Sequence, residues 1–307
     1  MVKHLPVLLD EVLETLNPQP RSRFLDCTFG GGGHTKALLE SADGVEVTAM
    51  DCDPDAILRA KPVEAQYGQR FRFVDGNFSC LDEVSDGQYD GILFDLGLSS
   101  FQLGDADKGF SFRMDAAIDM RFDPREGMAA SEFLETASKG SLIRAVREYG
   151  EERRWNRVVN AILEARGTGI LSRTQSAAQL VEKALGGAWS RIHPATRTFQ
   201  GIRIAINGEL ESLALSLPQA FGQLRNGGVL AVISFHSLED RITKRFFRRM
   251  AGRPEHRGDS RAVQDRERYA DLIKTKAIKP RPEEVDRNPR SRSARLRSIR
   301  KLSNPQL

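Results

Sequence analysis

Four consecutive glycines, Gly30 to Gly33, constrain this chain more than any other feature. Glycine loses the most backbone freedom on folding, so a run of four is neither a helix interior nor a strand interior; it is a connection. Its flanks say what is connected. Arg23-Phe24-Leu25-Asp26 precedes it as a short strand, and a helical pattern with Ala37, Leu38 and Leu39 starts near His34. A glycine loop between strand and helix lets a ligand approach the backbone and meet the N–H groups of the helix N-terminus. The next apolar run, Val45 to Met50, ends at Asp51, 21 residues after Gly30. An acid at the end of that second strand suits ribose hydroxyls. Loop and acid together predict an adenosine-bearing ligand at the carboxyl ends of parallel strands.

Two ligands of that kind compete. A nicotinamide dinucleotide favours G-x-G-x-x-G, which would place glycine at 35, where Thr35 stands. Asp26, just before the loop, suits a cationic aminoacyl or sulfonium group better than a pyrophosphate. S-adenosylmethionine satisfies both ends, with its methionine part near the loop and its ribose on Asp51. A tight turn without a ligand is the bland reading, and the entropy of four glycines weighs against it.

The α/β rhythm continues with a strand at Phe71–Val74 and another at Gly91–Phe94 that ends on Asp95. Asp75-Gly76-Asn77-Phe78 follows the third strand, so Phe78 either stacks on adenine or packs in the core. Asp95 falls at the mouth of the site, beside the methyl group to be transferred. From Asp105 to Gly201 no strand is predicted. Helical patterns occupy Ser131–Ala137, Ser141–Tyr149, Glu151–Ala165 and Thr174–Leu185, with apolar residues at spacings of three and four. A long helix over Ala195–Leu224, bent near Pro218, leads to a buried strand at Val229–Phe235. The predicted fold is therefore α/β, a Rossmann-like methyltransferase core of class I with an inserted all-helical domain. Its parts are residues 1–104 (core), 105–201 (insert, for substrate recognition) and 202–307 (core with a basic C-terminal segment).

Composition narrows the function. No apolar run reaches the ~18–20 residues of a bilayer-spanning helix, and acids interrupt the N-terminal apolar stretch where a signal peptide would be continuous. Cys27, Cys52 and Cys80 form no C-x-x-C pair and read as buried small hydrophobes, so the expected compartment is the cytoplasm. No cysteine lies near the end of the fourth or fifth strand, which argues against methylation at cytosine C5, a reaction that needs a thiolate. The five histidines lack ligand spacing, so no metal is predicted. The net charge of +4 conceals a division: residues 1–240 carry 25 Lys+Arg against 34 Asp+Glu, residues 241–307 carry 21 against 8. A basic segment of that size predicts a polyanionic partner.

Several blocks, in order, resemble one family. They are Phe29-Gly30-Gly31-Gly32-Gly33-His34, Asp95-Leu96-Gly97-Leu98-Ser99-Ser100-Phe101-Gln102-Leu103, Gly109-Phe110-Ser111-Phe112-Arg113, Asp119-Met120-Arg121-Phe122-Asp123-Pro124 and Tyr149-Gly150-Glu151-Glu152. His193-Pro194-Ala195-Thr196-Arg197-Thr198-Phe199-Gln200, Ser234-Phe235-His236-Ser237-Leu238-Glu239-Asp240-Arg241 and Asn288-Pro289-Arg290-Ser291-Arg292-Ser293 complete the series. From about His4 to Arg297 the chain resembles the MraW methyltransferases. The resemblance implies a cytoplasmic bacterial enzyme that uses S-adenosylmethionine to methylate N4 of a decoding-centre cytidine in 16S rRNA of the small ribosomal subunit. It also implies cofactor contacts at Gly32, Gly33, His34, Asp51, Phe78, Asp95 and Gln102. The chain departs from the family at Phe101, where proline is common before Gln102, and at Phe122, where methionine is usual.

The base must leave its stack to be methylated, and Phe101, Phe110 and Phe112 are candidates to receive it, unless they are ordinary core aromatics. Arg113, Arg121, His193 and Arg197 flank the predicted mouth and serve as phosphate contacts or as plain salt bridges. His236 either faces the site or terminates the fifth strand. Arg290 and Arg292 extend the basic end toward RNA. Asp95, directly or through nearby backbone, is the candidate acceptor that favours a pyramidal amine and later receives its proton, unless it holds only the methionine amino group; no residue is identified as a catalytic base. Two other readings stay open from the residues alone: a class I methyltransferase for amino groups of DNA or protein, and a non-catalytic rRNA-binding assembly factor.

Overall fold

The computed structural model describes residues 5–84, 87–187 and 193–306; His4, where the resemblance begins, lies outside them. The chain divides into two compact units, Met1–Gly97 with Leu210–Leu307, and Leu98–Glu209. The insert read from the sequence as 105–201 lies within the second. No helix among the described residues is long and apolar enough to cross a membrane.

The first unit is built on a seven-stranded sheet. Its strands are β1 (Arg23–Asp26), β2 (Glu46–Asp51), β3 (Phe71–Asp75), β4 (Tyr89–Asp95), β5 (Leu224–Ser234), β6 (Arg268–Leu272) and β7 (Arg295–Gln306). The order is β3-β2-β1-β4-β5-β7-β6. β1 to β5 are parallel, while β7 runs antiparallel to both its neighbours. The strand order reverses between β1 and β4, and such a switch point opens a crevice beyond the carboxyl ends of the strands. Helices cover both faces, which is why Ile92–Phe94 and Val229–Ile233 read as unbroken apolar runs: every one of these residues is buried.

The first helix, Leu9–Leu16, follows Leu8, which adopts a left-handed conformation with φ 54°, and the helix Asp55–Tyr67 accommodates Pro62. Later boundaries differ from those expected. The long helix expected over Ala195–Leu224 is two helices, Ala195–Asn207 and Glu209–Gln223. The break is at Gly208, whose φ of 57° ends the first of them, and not at Pro218. The basic C-terminal segment is largely ordered secondary structure, with β7 hydrogen-bonded between β5 and β6.

The second unit is helical around its own core. Leu142, Val146, Val158, Val159, Ile162, Val181, Phe199 and Ile202 are buried together there. The helix expected over Ser141–Tyr149 is a short α-helix, Lys139–Ile143, that continues as a π-helix over Arg144–Tyr149. A close approach accompanies the wide turn. A Cβ at Gly201 would lie 2.0 Å from the Ala145 carbonyl oxygen, and one at Gly150 would lie 2.6 Å from that of Arg197. Only glycine fits either position.

Candidate cofactor site

The site grows from the carboxyl ends of β1, β2 and β4. Asp26 closes β1 and is buried, with all its hydrogen bonds directed at the loop that follows. Its Oδ1 accepts from the Thr28 N–H at 3.1 Å, and its Oδ2 accepts from the Thr35 hydroxyl at 2.7 Å. Burial raises its pKa, and these bonds only partly oppose the rise. Asp26 therefore braces both ends of the glycine loop instead of presenting a charge to a ligand. Thr35, the residue that spoils the dinucleotide pattern, is the partner that makes this possible.

The loop is packed as tightly as it is bent. Gly30 and Gly32 have φ of 54° and 74°. A Cβ at Gly32 would meet the Phe29 ring at 2.8 Å, and one at Gly33 would meet Pro6 Cγ at 2.5 Å. Two of the four glycines are thus required by the protein's own packing as well as by any ligand. Asp51 ties the loop to β2: its Oδ2 accepts the Gly30 N–H at 2.7 Å and its Oδ1 that of Asp53 at 2.9 Å. Burial pushes its pKa up to about 6. Arg59 holds the other side, donating to the Gly30 carbonyl at 2.7 Å while paired with the fully buried Asp53 at 3.0 Å. Arg59 and Asp53 escaped the sequence reading because their link is a tertiary one, with the helix Asp55–Tyr67 folded back over the loop.

Asp95 ends β4 beside this loop. Its backbone N–H donates to the Thr28 hydroxyl at 2.6 Å, so Asp26, Thr28 and Asp95 form a chain across the strand ends. Its Oδ2 is 3.5 Å from His34 Nδ1, and its Oδ1 is buried without a hydrogen-bond partner among the described residues. Burial, with the charges of Asp26 and Glu239, holds its pKa well above the usual carboxylate range. His34 is buried too, and burial lowers its pKa to about 4. Its Nε2 faces the Val7 carbonyl at 3.0 Å, an acceptor only, so the proton of the neutral ring sits on Nε2. Nδ1 is left as an acceptor toward Asp95, an arrangement that favours a protonated Asp95 in the free protein. An orphaned carboxylate oxygen in such a place fits the ammonium group of S-adenosylmethionine.

The remaining predicted cofactor residues have local roles. Phe78 lies edge-on to Phe94, with centroids 5.5 Å apart, and packs against the core. Gln102 belongs to the second unit, where its Oε1 accepts the Ser99 N–H at 3.0 Å in a capping box that starts the helix Ser100–Gly104. The predicted substrate residues divide. Arg113, Arg197, Arg290 and Arg292 are exposed. Arg121 is held by Asp119 in a bidentate pair at 2.7 and 2.8 Å. His193 accepts the Ala195 N–H at 3.1 Å and stacks on Phe112 at 4.6 Å. His236 caps the helix Ser237–Met250 in a capping box with Glu239, so it terminates β5. Among the aromatics, Phe110 is core, Phe112 is half-buried and Phe101 is 45% exposed.

The three cysteines are not all buried, contrary to the expectation from sequence. Only Cys27 is the buried hydrophobe expected, its thiol pushed well up by burial; Cys52 is half-buried and Cys80 exposed on a short turn after β3.

A parallel sheet reversing at β1/β4, an antiparallel β7 set between β5 and β6, and a braced glycine loop with acids at the next strand ends define a class I S-adenosylmethionine-dependent methyltransferase. Within that class, the model of the MraW methylase family matches residues 1–302, and the chain belongs to this family. It is 44% identical over 303 residues to the ribosomal RNA small subunit methyltransferase H of Granulibacter bethesdensis, covering 96% of this chain and 90% of that protein. It is likewise 44% identical to the protein of that name from Thermomicrobium roseum, covering 98% and 94%, and 41% identical to that from Rickettsia massiliae, covering 97% and 98%.

Proposed function

We propose that this chain transfers the methyl group of S-adenosylmethionine to N4 of a cytidine in the 16S rRNA of the small ribosomal subunit, in the cytoplasm. The observation that carries the reading is the buried, unpartnered Asp95 Oδ1 beside the braced glycine loop, in a chain whose relatives are named as small-subunit rRNA methyltransferases. When bound, the cofactor supplies an electrophilic methyl on a sulfonium.

The chain's own residues bind and align. Gly32, Gly33 and His34 form the loop against which the methionine part lies. Asp51 accepts ribose hydroxyls with the lone pairs its two backbone donors leave free, and Phe78 borders the adenine. Asp95 Oδ1 accepts from the methionine ammonium, whose charge favours the ionised carboxylate; Gln102 is the further cofactor contact that the family resemblance implies. The incoming amine needs alignment more than activation, and positioning supplies several kcal/mol. Arg113, Arg197, Arg290 and Arg292 have the exposure that phosphate contacts require. Arg121, His193 and His236 act indirectly in this reading, through the local structures they hold.

The test is methylation of unmodified small subunits and of free 16S rRNA with labelled donor, followed by nucleoside mapping. Labelled N4-methylcytidine is expected. Label confined to DNA or protein, or no binding of the cofactor by calorimetry, would overturn the proposal.

A further inference from the structure

The excess of basic residues after position 240 is not one feature. Much of it is neutralised inside the first unit. Arg261 and Arg266 pair with Asp259, Arg268 with Asp271, and Arg295 and Arg297 with Asp240. Lys301 donates to the carbonyls of Phe221, Gly222 and Leu224 at 3.1, 3.1 and 2.7 Å. These residues are structural cations, even though a count of charges treats them as available.

The helix Ser237–Met250 and the turn after it behave differently. From 241 to 253 the chain carries Arg241, Lys244, Arg245, Arg248, Arg249 and Arg253 and no acid. Five of these are exposed, Arg249 while paired with Glu255 at 3.8 Å; Arg248 is half-buried and donates to the Pro254 carbonyl. The two acids of the helix, Glu239 and Asp240, are turned inward and buried. Arg241 and Arg245, Lys244 and Arg248, and Arg245 and Arg249 are therefore like charges four residues apart, each pair a repulsion that weakens the helix. The helix dipole accounts for Arg248 and Arg249 in the last turn, but gives no benefit to Arg241, Lys244 or Arg245. The opposite face, with Leu238, Phe246 and Phe247, is buried in the core. A membrane-surface helix needs its apolar face free, so a lipid surface is the wrong partner. The helix also begins where β5 ends, at the strand ends that carry the cofactor loop, and its 14 residues extend roughly 20 Å from there.

We propose that the exposed face carrying Lys244, Arg245 and Arg253 is the surface on which the phosphate backbone of the substrate rRNA rests. This inference rests on the methyltransferase reading above and names the part of the molecule that supplies its sequence-independent affinity. Contacts of this kind fix register and leave the choice of nucleotide to the site.

The test uses the full-length triple variant Lys244→Gln/Arg245→Gln/Arg253→Gln. Binding to unmethylated 16S rRNA transcript is followed by fluorescence anisotropy between 50 and 200 mM salt. Loss of three phosphate contacts lowers the slope of log K against log salt by about 2–3, and affinity at the low-salt end falls tenfold or more. Cofactor affinity stays at its wild-type value, and the melting temperature does not fall, since the substitutions relieve like-charge repulsion along the helix. The control Lys61→Gln/Arg72→Gln, exposed basic residues elsewhere on the unit, keeps the wild-type slope, and Lys244→Arg/Arg245→Lys/Arg253→Lys restores it if charge alone is read. A wild-type slope and affinity in the triple variant overturn the surface. So does a fall in affinity that matches a loss of melting temperature and is not restored by the charge-conserving variant. Tighter wild-type binding to polyglutamate than to rRNA, abolished in the triple variant, reassigns the face to an acidic protein and overturns it as well. Labelled N4-methylcytidine is scored in parallel: its absence with wild-type protein overturns the reaction, while the salt slope still decides the surface.

Discussion

At the scale of single residues, the site is a set of buried carboxylates, Asp26, Asp51 and Asp95, whose pKa values burial raises. Burial holds Asp51 at about 6, although N–H bonds from Asp53 and Gly30 pull the other way. The ionised form accepts ribose hydroxyls on all its free lone pairs, so cofactor affinity weakens as pH falls through about 6. Calorimetric titration from pH 5 to 8 checks this. Asp51→Asn binds more weakly throughout and loses that pH dependence; a wild-type affinity flat across the range would remove Asp51 from the ribose. Asp95 is expected to act on binding rather than on rate. Asp95→Asn forfeits a charge-assisted hydrogen bond of about 1.5–3 kcal/mol, so the cofactor Kd rises by roughly ten- to hundredfold. At saturating cofactor kcat stays within a few-fold. The reverse pattern, an unchanged Kd with a collapsed kcat, would place Asp95 at the cytosine amine.

At the scale of elements, two contacts hold pieces of chain that are remote in sequence. Asp240 pins β7 to the helix Ser237–Met250 through Arg297 at 2.7 Å and Arg295 at 3.0 Å. Burial tends to raise its pKa, but the two arginines outweigh that and hold it below the ordinary value. A depressed carboxylate contributes stability that is complete above its unfolded-state pKa and lost as pH falls through its folded one. Asp240→Asn leaves Arg297, only 15% exposed, without its counter-ion. The expected cost is about 2–3 kcal/mol in urea unfolding at pH 7, shrinking below pH 4. In the second unit, Gly201→Ala forces a Cβ into the Ala145 carbonyl oxygen. Overpacking against backbone has little room to relax, so a loss of about 3 kcal/mol is expected. It is read as faster amide exchange over residues 139–207. Exchange at wild-type rates there would mean that the π-helix yields freely.

Legibility in the sequence follows the range of the interaction. β1, the glycine loop and β2 were readable because strand, loop and helix follow one another along the chain, and Asp51 stands at a spacing that the βαβ unit imposes. Pro218 misled, because a proline can sit inside a helix that the fold supports, whereas the positive φ at Gly208 ends the preceding one. The bracing by Arg59 and Asp53 was invisible, since no local pattern joins a strand-end acid to an arginine on the next helix. β7 was hidden for a further reason. Its arginines at 295, 297 and 300 are interspersed with Leu296, Ser298 and Ile299, and both the ladder partner β5 and the counter-ion Asp240 lie 55 residues or more back along the chain.

At the scale of the whole molecule, this last strand decides whether the basic C-terminal segment is a tether for RNA or part of the sheet. β7 registers residue by residue with β5 from Arg295 to Arg300 and carries β6 on its other edge. Ala270, Leu296 and Ile299 are buried at that junction. A solvated tail would exchange its amides within seconds whatever the rest of the protein does. A strand paired on both sides opens only with its surroundings. The amides of Leu296, Ser298 and Ile299 are therefore expected to exchange as slowly as those of Ile92–Phe94 in β4, in protein free of RNA, and to change little when rRNA is added. Deleting residues 295–306 removes twelve residues but strips β5 of an edge and β6 of its neighbour. The expected result is loss of the cooperative unfolding transition of the first unit, not a shift of a few degrees. Fast exchange at Leu296–Ile299 in the free protein, or a deletion that still melts cooperatively, would return the segment to the role of a tail.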